Sequence, residues 1–366
     1  MRDGTFLAGA FGALISSRTD ATLPTVIIRR TTSNIFMMMT SFSTLRKVTC
    51  KLRASAFVGL TLFLAFETAA FAQTCTISET AIAFGNVDVL SGAAIDTTST
   101  ITLTCSGGGG VGQTLCVSID VGSQGDATSR QLLGPSSNKL RYDLYSNSAR
   151  TQLWGSWETG YDTAGVTVNV PQNSTTPVTV YARLFGSQQT AAVGSYSSTF
   201  TANPFIRWRN NNGTPCPAGS LNASTSTSAT ATVVSNCIVS ATTLNFGTTS
   251  LMTSNLDATT TISAQCSNSL PYSIGLGNGS NVSGSQRRMK QGASNFINYN
   301  LYTDSGRTSA WTTTTSTTSC TGGTGTCVTG TGTGSTQSVT VYGRVPPQSS
   351  QAPGSYTDTV VITFTF

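Results

Sequence analysis

After residue 72, apolar residues recur at every second position, in short runs broken by Gly, Ser, Thr and Asn. That spacing predicts strands with one buried face, and no stretch shows a helical period. The C-terminal run DTVVITFTF is the clearest case: Val360, Ile362, Phe364 and Phe366 fall on one side, Thr359, Val361, Thr363 and Thr365 on the other. An apolar strand is normally shielded by a neighbour, a turn or a charge. Nothing follows Phe366 in the sequence, so Val360, Ile362, Phe364 and Phe366 are expected to form an edge that accepts a strand from elsewhere.

The strand pattern occurs twice. Cys75–Cys105 encloses a Phe-Gly pair and a Thr/Ile alternation, and Cys237–Cys266 does the same. SNKLRYDLYSNSARTQLWG (137–155) matches SNFINYNLYTDSGRTSAWT (294–312), and VTVYARLFGSQQTAAVGSYSSTFT (178–201) matches VTVYGRVPPQSSQAPGSYTDTVVI (339–362). Two copies of one β-sandwich follow, N-terminal from 73 to 210 and C-terminal from 233 to 366, with 211–232 as linker or in-cis donor segment. Equivalent cysteines at strand positions predict the bridges Cys75–Cys105 and Cys237–Cys266. Cys320 and Cys327 flank TGGTGT and suit a local bridge, which leaves Cys116 and Cys216 to pair by elimination.

Composition narrows the function. Only 9% of residues are charged, against roughly 25% in an average soluble protein. Residues 46–53 carry Arg46, Lys47, Lys51 and Arg53, residues 54–66 are apolar, and Ala70-Phe71-Ala72 is a small-x-small site. This predicts a signal peptide cut before Gln73, with 1–72 as leader and 1–45 as a possible misassigned start. Removing the leader takes eight of 20 basic and three of 14 acidic residues, leaving a net charge near +1, so nucleic-acid binding has no electrostatic support. Eight cysteines remain in an exported chain, an even number that suits disulfides. Without histidine there is no Ser-His or Cys-His pair, and no metal-ligand spacing occurs, so an enzyme, a metal site and a cofactor are not expected. Asp120 and Asp126 flank a Gly-rich turn and read as solvent-facing turn formers. Arg287, Arg288 and Lys290, aligned with Arg130, read as a solvated strand edge.

The ordered set Cys…Phe-Gly…Cys, LxYxLYxxxxRTxxWG and VTVYxR…GSYxDTxxITxxF resembles the spore coat protein U domain, the pilin module of archaic chaperone–usher pili. The resemblance covers 73–366, twice. It implies immunoglobulin-like sandwiches of which the second lacks its final strand. It implies a periplasmic chaperone, an outer-membrane usher and the N-terminal donor strand of the next subunit as partners, by β-augmentation. Only Gln73 and Thr74 precede Cys75 after cleavage, a span of at most about 7 Å, too short to donate a strand. The expectation is therefore a tip adhesin, exported through the periplasm to the cell surface at the pilus tip, mediating attachment to a host or abiotic surface and biofilm formation. The alternative is a structural pilin or secreted coat-type protein without receptor binding.

The first copy must be completed by its own chain, either by 226–234 (STSATATVV) or by Phe205–Trp208. Residues shared by both copies, Trp154 with Trp311 and Tyr142 and Tyr145 with Tyr299 and Tyr302, are expected to serve the fold. Residues specific to the first copy are the adhesive candidates: Trp157, Tyr161, Phe185, Phe205, Ile206 and Trp208, with the loop 187–193 after Phe185 preferred.

Overall fold

The computed structural model describes residues 5–12, 74–107, 112–156, 161, 165–200, 206–210, 223–312 and 326–366. Among them are strands and two short 3-10 turns, Val89–Ser91 and Pro135–Ser137, so the fold is all-β. The first strand is β1 (Thr5–Gly12). The N-terminal domain contains β2 (Thr74–Glu79), β3 (Ile82–Val87), β4 (Ile95–Ser106), β5 (Gln113–Ser118), β6 (Arg130–Leu133), β7 (Lys139–Tyr145), β8 (Val166–Val170), β9 (Ser174–Leu184), β10 (Gly194–Phe200), β11 (Ile206–Asn210), β12 (Ala223–Thr225) and β13 (Thr227–Val233). The C-terminal domain contains β14 (Cys237–Ala241), β15 (Leu256–Cys266), β16 (Pro271–Leu276), β17 (Arg287–Gln291), β18 (Asn295–Tyr302), β19 (Val328–Thr331), β20 (Thr336–Val345) and β21 (Thr359–Thr365).

Each domain is a sandwich. In the first, the sheet β2-β4-β9-β7-β6-β10-β13-β3 faces the sheet β12-β11-β5-β8. In the second, β14-β15-β20-β18-β17 faces β1-β21-β16-β19. The period-two pattern does its work in β4 and β15, where Ile101, Leu103 and Cys105, and Ile262, Ala264 and Cys266, point into the two cores. Phe84 meets Tyr142 edge to face at 5.5 Å, and Phe246 meets Tyr299 at 6.0 Å. The two predicted bridges join directly opposed residues of antiparallel strands: Cys75 with Cys105 and Cys237 with Cys266, each with Cα atoms 4.1 Å apart. Cys116 and Cys327 are also disulfide-bonded; Cys216 and Cys320 lie outside the described residues.

Two sequence expectations fail in the cores. Arg130 and Arg287 are not on a solvated edge but are 0% and 3% exposed. Arg130 donates through Nε to Asp120 O (2.8 Å) and through Nη2 to Ile119 O (2.7 Å) and Trp154 O (2.6 Å). Arg287 repeats this with Gly277, Leu276 and Trp311 carbonyls at 2.9, 3.0 and 2.6 Å. A guanidinium fork can be buried because backbone carbonyls satisfy its fixed donors. The tryptophan rings close the latch: Trp154 Nε1 donates to Val117 O at 3.0 Å and Trp311 Nε1 to Ile274 O at 2.9 Å. Asp120 is likewise fully buried rather than solvent-facing, its Oδ1 accepting from Val121 N at 2.6 Å. Asp126 does act as an exposed turn former, its Oδ1 capping Thr128 N at 2.8 Å and Ser129 N at 3.0 Å.

Candidate strand-acceptor groove

The two domains differ at one edge. In the N-terminal domain β13 lies between β10 and β3, antiparallel to the first and parallel to the second. Its register with β10 runs unbroken from Gly194↔Val233 to Phe200↔Thr227. Alternation again sorts the side chains: Ala229, Ala231 and Val233 are buried while Thr230 and Thr232 face out. Small residues fit there because the large ones, Phe84, Tyr196 and Phe200, already come from the flanking strands. Just upstream, β12 pairs antiparallel with β11, which also pairs with β5. Of the two segments considered for closing this domain, Thr227–Val233 therefore takes the closing place, and Ile206–Asn210 belongs to the facing sheet.

In the C-terminal domain the counterpart of β10 and β11 is the continuous run Gly354–Phe366. Its distal half, β21, pairs with β16 on one side (Ser273↔Thr365 to Leu276↔Ile362). On the other side it pairs antiparallel with β1, from Thr5↔Thr365 to Gly12↔Thr359. β1 thus holds the place against β21 that β12 holds against β11. No strand of this domain's own sequence holds it among the described residues. Along Gly354–Tyr356, where the first domain has β13, the described residues leave a cavity of about 350 Å³ lined by Thr249, Ser250, Met252, Ile297, Ser350, Gln351, Ala352, Pro353, Gly354 and Tyr356.

The C-terminal alternation needs a correction. Val360, Ile362 and Phe364 do not form an exposed binding face; they are buried in the core, with Phe364 against Tyr272 at 5.7 Å, and Phe366 is half-buried. Side chains stand perpendicular to a sheet, whereas strand pairing runs in its plane. The candidate for strand pairing is therefore the main-chain edge of β21, with exposed Val361 beside it, while the alternating residues pack beneath it.

The adhesive candidates are also redistributed. Tyr161 is 5% exposed. Its hydroxyl donates to Asp143 Oδ1 and its ring lies 4.9 Å from the Arg130 guanidinium, so it cannot be an exposed contact residue. Burial lifts the Asp143 carboxyl above its ordinary range, opposed by the Tyr161 donor and Arg130. Phe185 is half-buried, its ring 5.8 Å from the Arg141 guanidinium. The loop after it is not a free tip but packs on the other domain: Asn268 Nδ2 donates to Thr190 O at 2.6 Å and Val193 N donates to Asn268 O at 3.1 Å. Small Ala191 and Ala192 permit that approach. Ile206 and Trp208 lie on β11. Trp157 and Phe205 lie outside the described residues.

The shared aromatics Trp154, Trp311, Tyr142 and Tyr299 are fully buried. Sequence reasoning missed Thr249, Ser250 and Met252. A signal was present: VDVLSG at 87–92 becomes TSLMTS at 249–254, which loses the Val and Asp of the first copy. Among the described residues no group of His, Cys, Asp and Glu could hold a metal ion, and no helix is long and apolar enough to cross a membrane.

The sequence profile of the Spore Coat Protein U domain matches residues 61–203 and again residues 223–363. The chain belongs to that family. Its two Spore Coat Protein U domains are the two sandwiches described above. No curated protein matches the sequence. Among solved structures, the CsuC–CsuE chaperone–tip adhesion subunit pre-assembly complex from the archaic chaperone–usher Csu pili of Acinetobacter baumannii aligns with 80% of this chain and all of that one, at 14% identity and a TM-score of 0.43. The CupB6 tip adhesin from Pseudomonas aeruginosa aligns over 80% of this chain and 94% of its own, at 11% identity and a TM-score of 0.35.

Proposed function

We propose that this chain is the tip subunit of a chaperone–usher pilus, an adhesin whose C-terminal Spore Coat Protein U domain accepts a strand from the next subunit. The observation that carries this is the asymmetry of the two edges. The first domain is closed by its own β12 and β13, while on the second the place of β12 is taken by residues 5–12, which the sequence assigns to an export leader, and the place of β13 is a cavity. After export, a periplasmic chaperone and then the donor segment of the next subunit fill it, delivered by the outer-membrane usher. An incoming strand gains main-chain hydrogen bonds, each worth about 0.5–1.5 kcal/mol net, and covers apolar surface at about 25 cal/mol per Å².

A feature independent of the chain ends supports the tip position. Asn268 hooks the second domain onto the first, and its counterpart two residues after the second cysteine of the first domain is Gly107. Among the described residues, the first domain thus carries no such hook for a further domain beyond it. Its far end, with Gly107 bonded to Asn173, is the surface proposed to meet a host or abiotic substrate.

The test is self-complementation. A second copy of 223–234 (ASTSTSATATVV) is appended after Phe366 through a short turn, since β12 and β13 run antiparallel to the strand they complete. The fused protein should be more heat-stable than the exported chain and should no longer be captured by the periplasmic chaperone of its assembly system. Undiminished capture would overturn the strand-acceptor reading.

A further inference from the structure

The joint between the domains is built from few groups. Leaving β13, Val234 N donates to Val87 O (3.0 Å), and Asn236 Nδ2 donates to Asp88 Oδ2 (2.8 Å). Ser267 N donates to Asn236 O (2.9 Å), and Asn268 grips Thr190 and Val193 as described, with Ala192 bridging to it. Gly334 sits here at φ +79°, and a side chain on it would run into Gln189 O; its counterpart in the first domain, at the opposite free end, is Asn173. The face that the first domain offers is thus Val87, Asp88, Thr190, Ala192 and Val193.

The internal repeat says where that face recurs. Tyr196 Oη donates to Ala192 O and Tyr356 Oη to Ala352 O, at 2.8 and 2.7 Å, and Gln188 clasps Arg141 as Gln348 clasps Asn298. These fixed points make Thr249, Ser250, Ser350, Ala352 and Pro353 the counterparts of Val87, Asp88, Thr190, Ala192 and Val193. All five line the cavity of about 350 Å³ at the end of the second domain. Cover accounts for the contrast: Ala192 is 1% exposed, whereas Ala352 is exposed. Beside them Leu251 is 61% exposed where its counterpart Val89 is 5% exposed.

We propose that this end of the second domain, where the strand groove runs out beyond β21, is a second docking surface, and that its occupant is a domain of the same family. Its partner presents polar residues as Asn236 and Asn268 do: one just before its first cysteine, and one two residues after its second. The surface repeats the internal joint with one change. Pro353 has no N–H where Val193 donates to Asn268 O, so the main-chain bond of the internal joint cannot form. The joint to the next subunit is therefore looser than the joint inside the chain.

This rests on the strand-acceptor reading, and the test separates the two. The photocrosslinking residue p-benzoylphenylalanine replaces one exposed residue at a time in the full chain, expressed with its own pilus system: Ser350, Val361, or outward Asp257 on β15 as control. A Thr190 label should crosslink within the chain, to the peptide holding Asn268, and calibrates the geometry. The proposal expects assembled fibres to show a crosslink to a second subunit from Ser350 and Val361, and none from Asp257. A crosslink from Val361 with none from Ser350 overturns the docking surface and leaves strand acceptance standing. Crosslinks from neither overturn both.

Discussion

Asn236 donates its side-chain amide to Asp88 Oδ2 at 2.8 Å, across 148 positions of sequence, and so ties the last residue before one domain to the turn of the other. Cys237 follows at once, so the in-cis strand β13 and the second domain are coupled through three residues. Removing the acceptor should loosen the joint without unfolding either sandwich. For Asp88→Ala we expect hydrogen exchange at residues 190–193 and 267–268 to rise several-fold, while the cores keep their protection. A hydrogen bond to a charged group contributes about 1.5–3 kcal/mol, so an unchanged exchange pattern would show that the other contacts alone hold the joint.

Half-buried Glu79, whose carboxylate is enclosed, sets a pH dependence. Its Oε1 accepts from Ser99 Oγ at 3.0 Å, and its Oε2 has no hydrogen-bond partner. Burial raises its pKa from 4.5 to about 8, against the lowering influence of Ser99 and Arg130. The folded form therefore binds a proton that the unfolded form releases. This contribution is complete below about pH 4.5, falls as pH rises from 4.5 to 8, and is gone above that. Glu79→Gln should flatten the stability curve between those values and raise stability at pH 8 by a few kcal/mol, read by urea unfolding of the exported chain. A slope that persists in the variant would assign it to other groups. The counterpart in the second domain is Ala241, so only the first domain carries this dependence.

The buried arginines make a second stability test. Arg287→Lys keeps the charge but cannot meet the carbonyls of Leu276, Gly277 and Trp311 with one fork. Loss of at least about 2 kcal/mol is expected, since orphaned buried acceptors cost about 1–3 kcal/mol each. Thermal unfolding of the C-terminal domain should shift downward while that of the other domain stays in place. Equal stability of variant and parent would mean that water replaces the guanidinium.

Each cross-strand bridge closes a loop of similar length, with sequence separations of 30 and 29. Replacing Cys75 and Cys105 together by Ala, or Cys237 and Cys266, should each cost roughly 3–4 kcal/mol. Denaturant midpoints of the two double variants should fall alike. A much larger loss from the second pair would show that the C-terminal domain depends more on its bridge.

The sequence by itself determined the strand content, the two repeats, the disulfide partners at Cys75–Cys105 and Cys237–Cys266, and which side of the C-terminal run is apolar. These follow from local periodicity and from spacing compared between copies, and neither needs a third dimension. Tertiary structure alone decided what each face does. Alternation at Val360, Ile362 and Phe364 could not say whether the apolar face meets a core or a partner, because strand pairing runs in the plane at right angles to the side chains. Arg130 and Arg287 read as solvated charges until the carbonyls that satisfy each came together from two separate segments of the chain. The loop after Phe185 looked like a free tip, and only the packing of the two domains placed it against Asn268. Side-chain period is a property of neighbours along the chain; burial, charge satisfaction and docking are properties of neighbours in space.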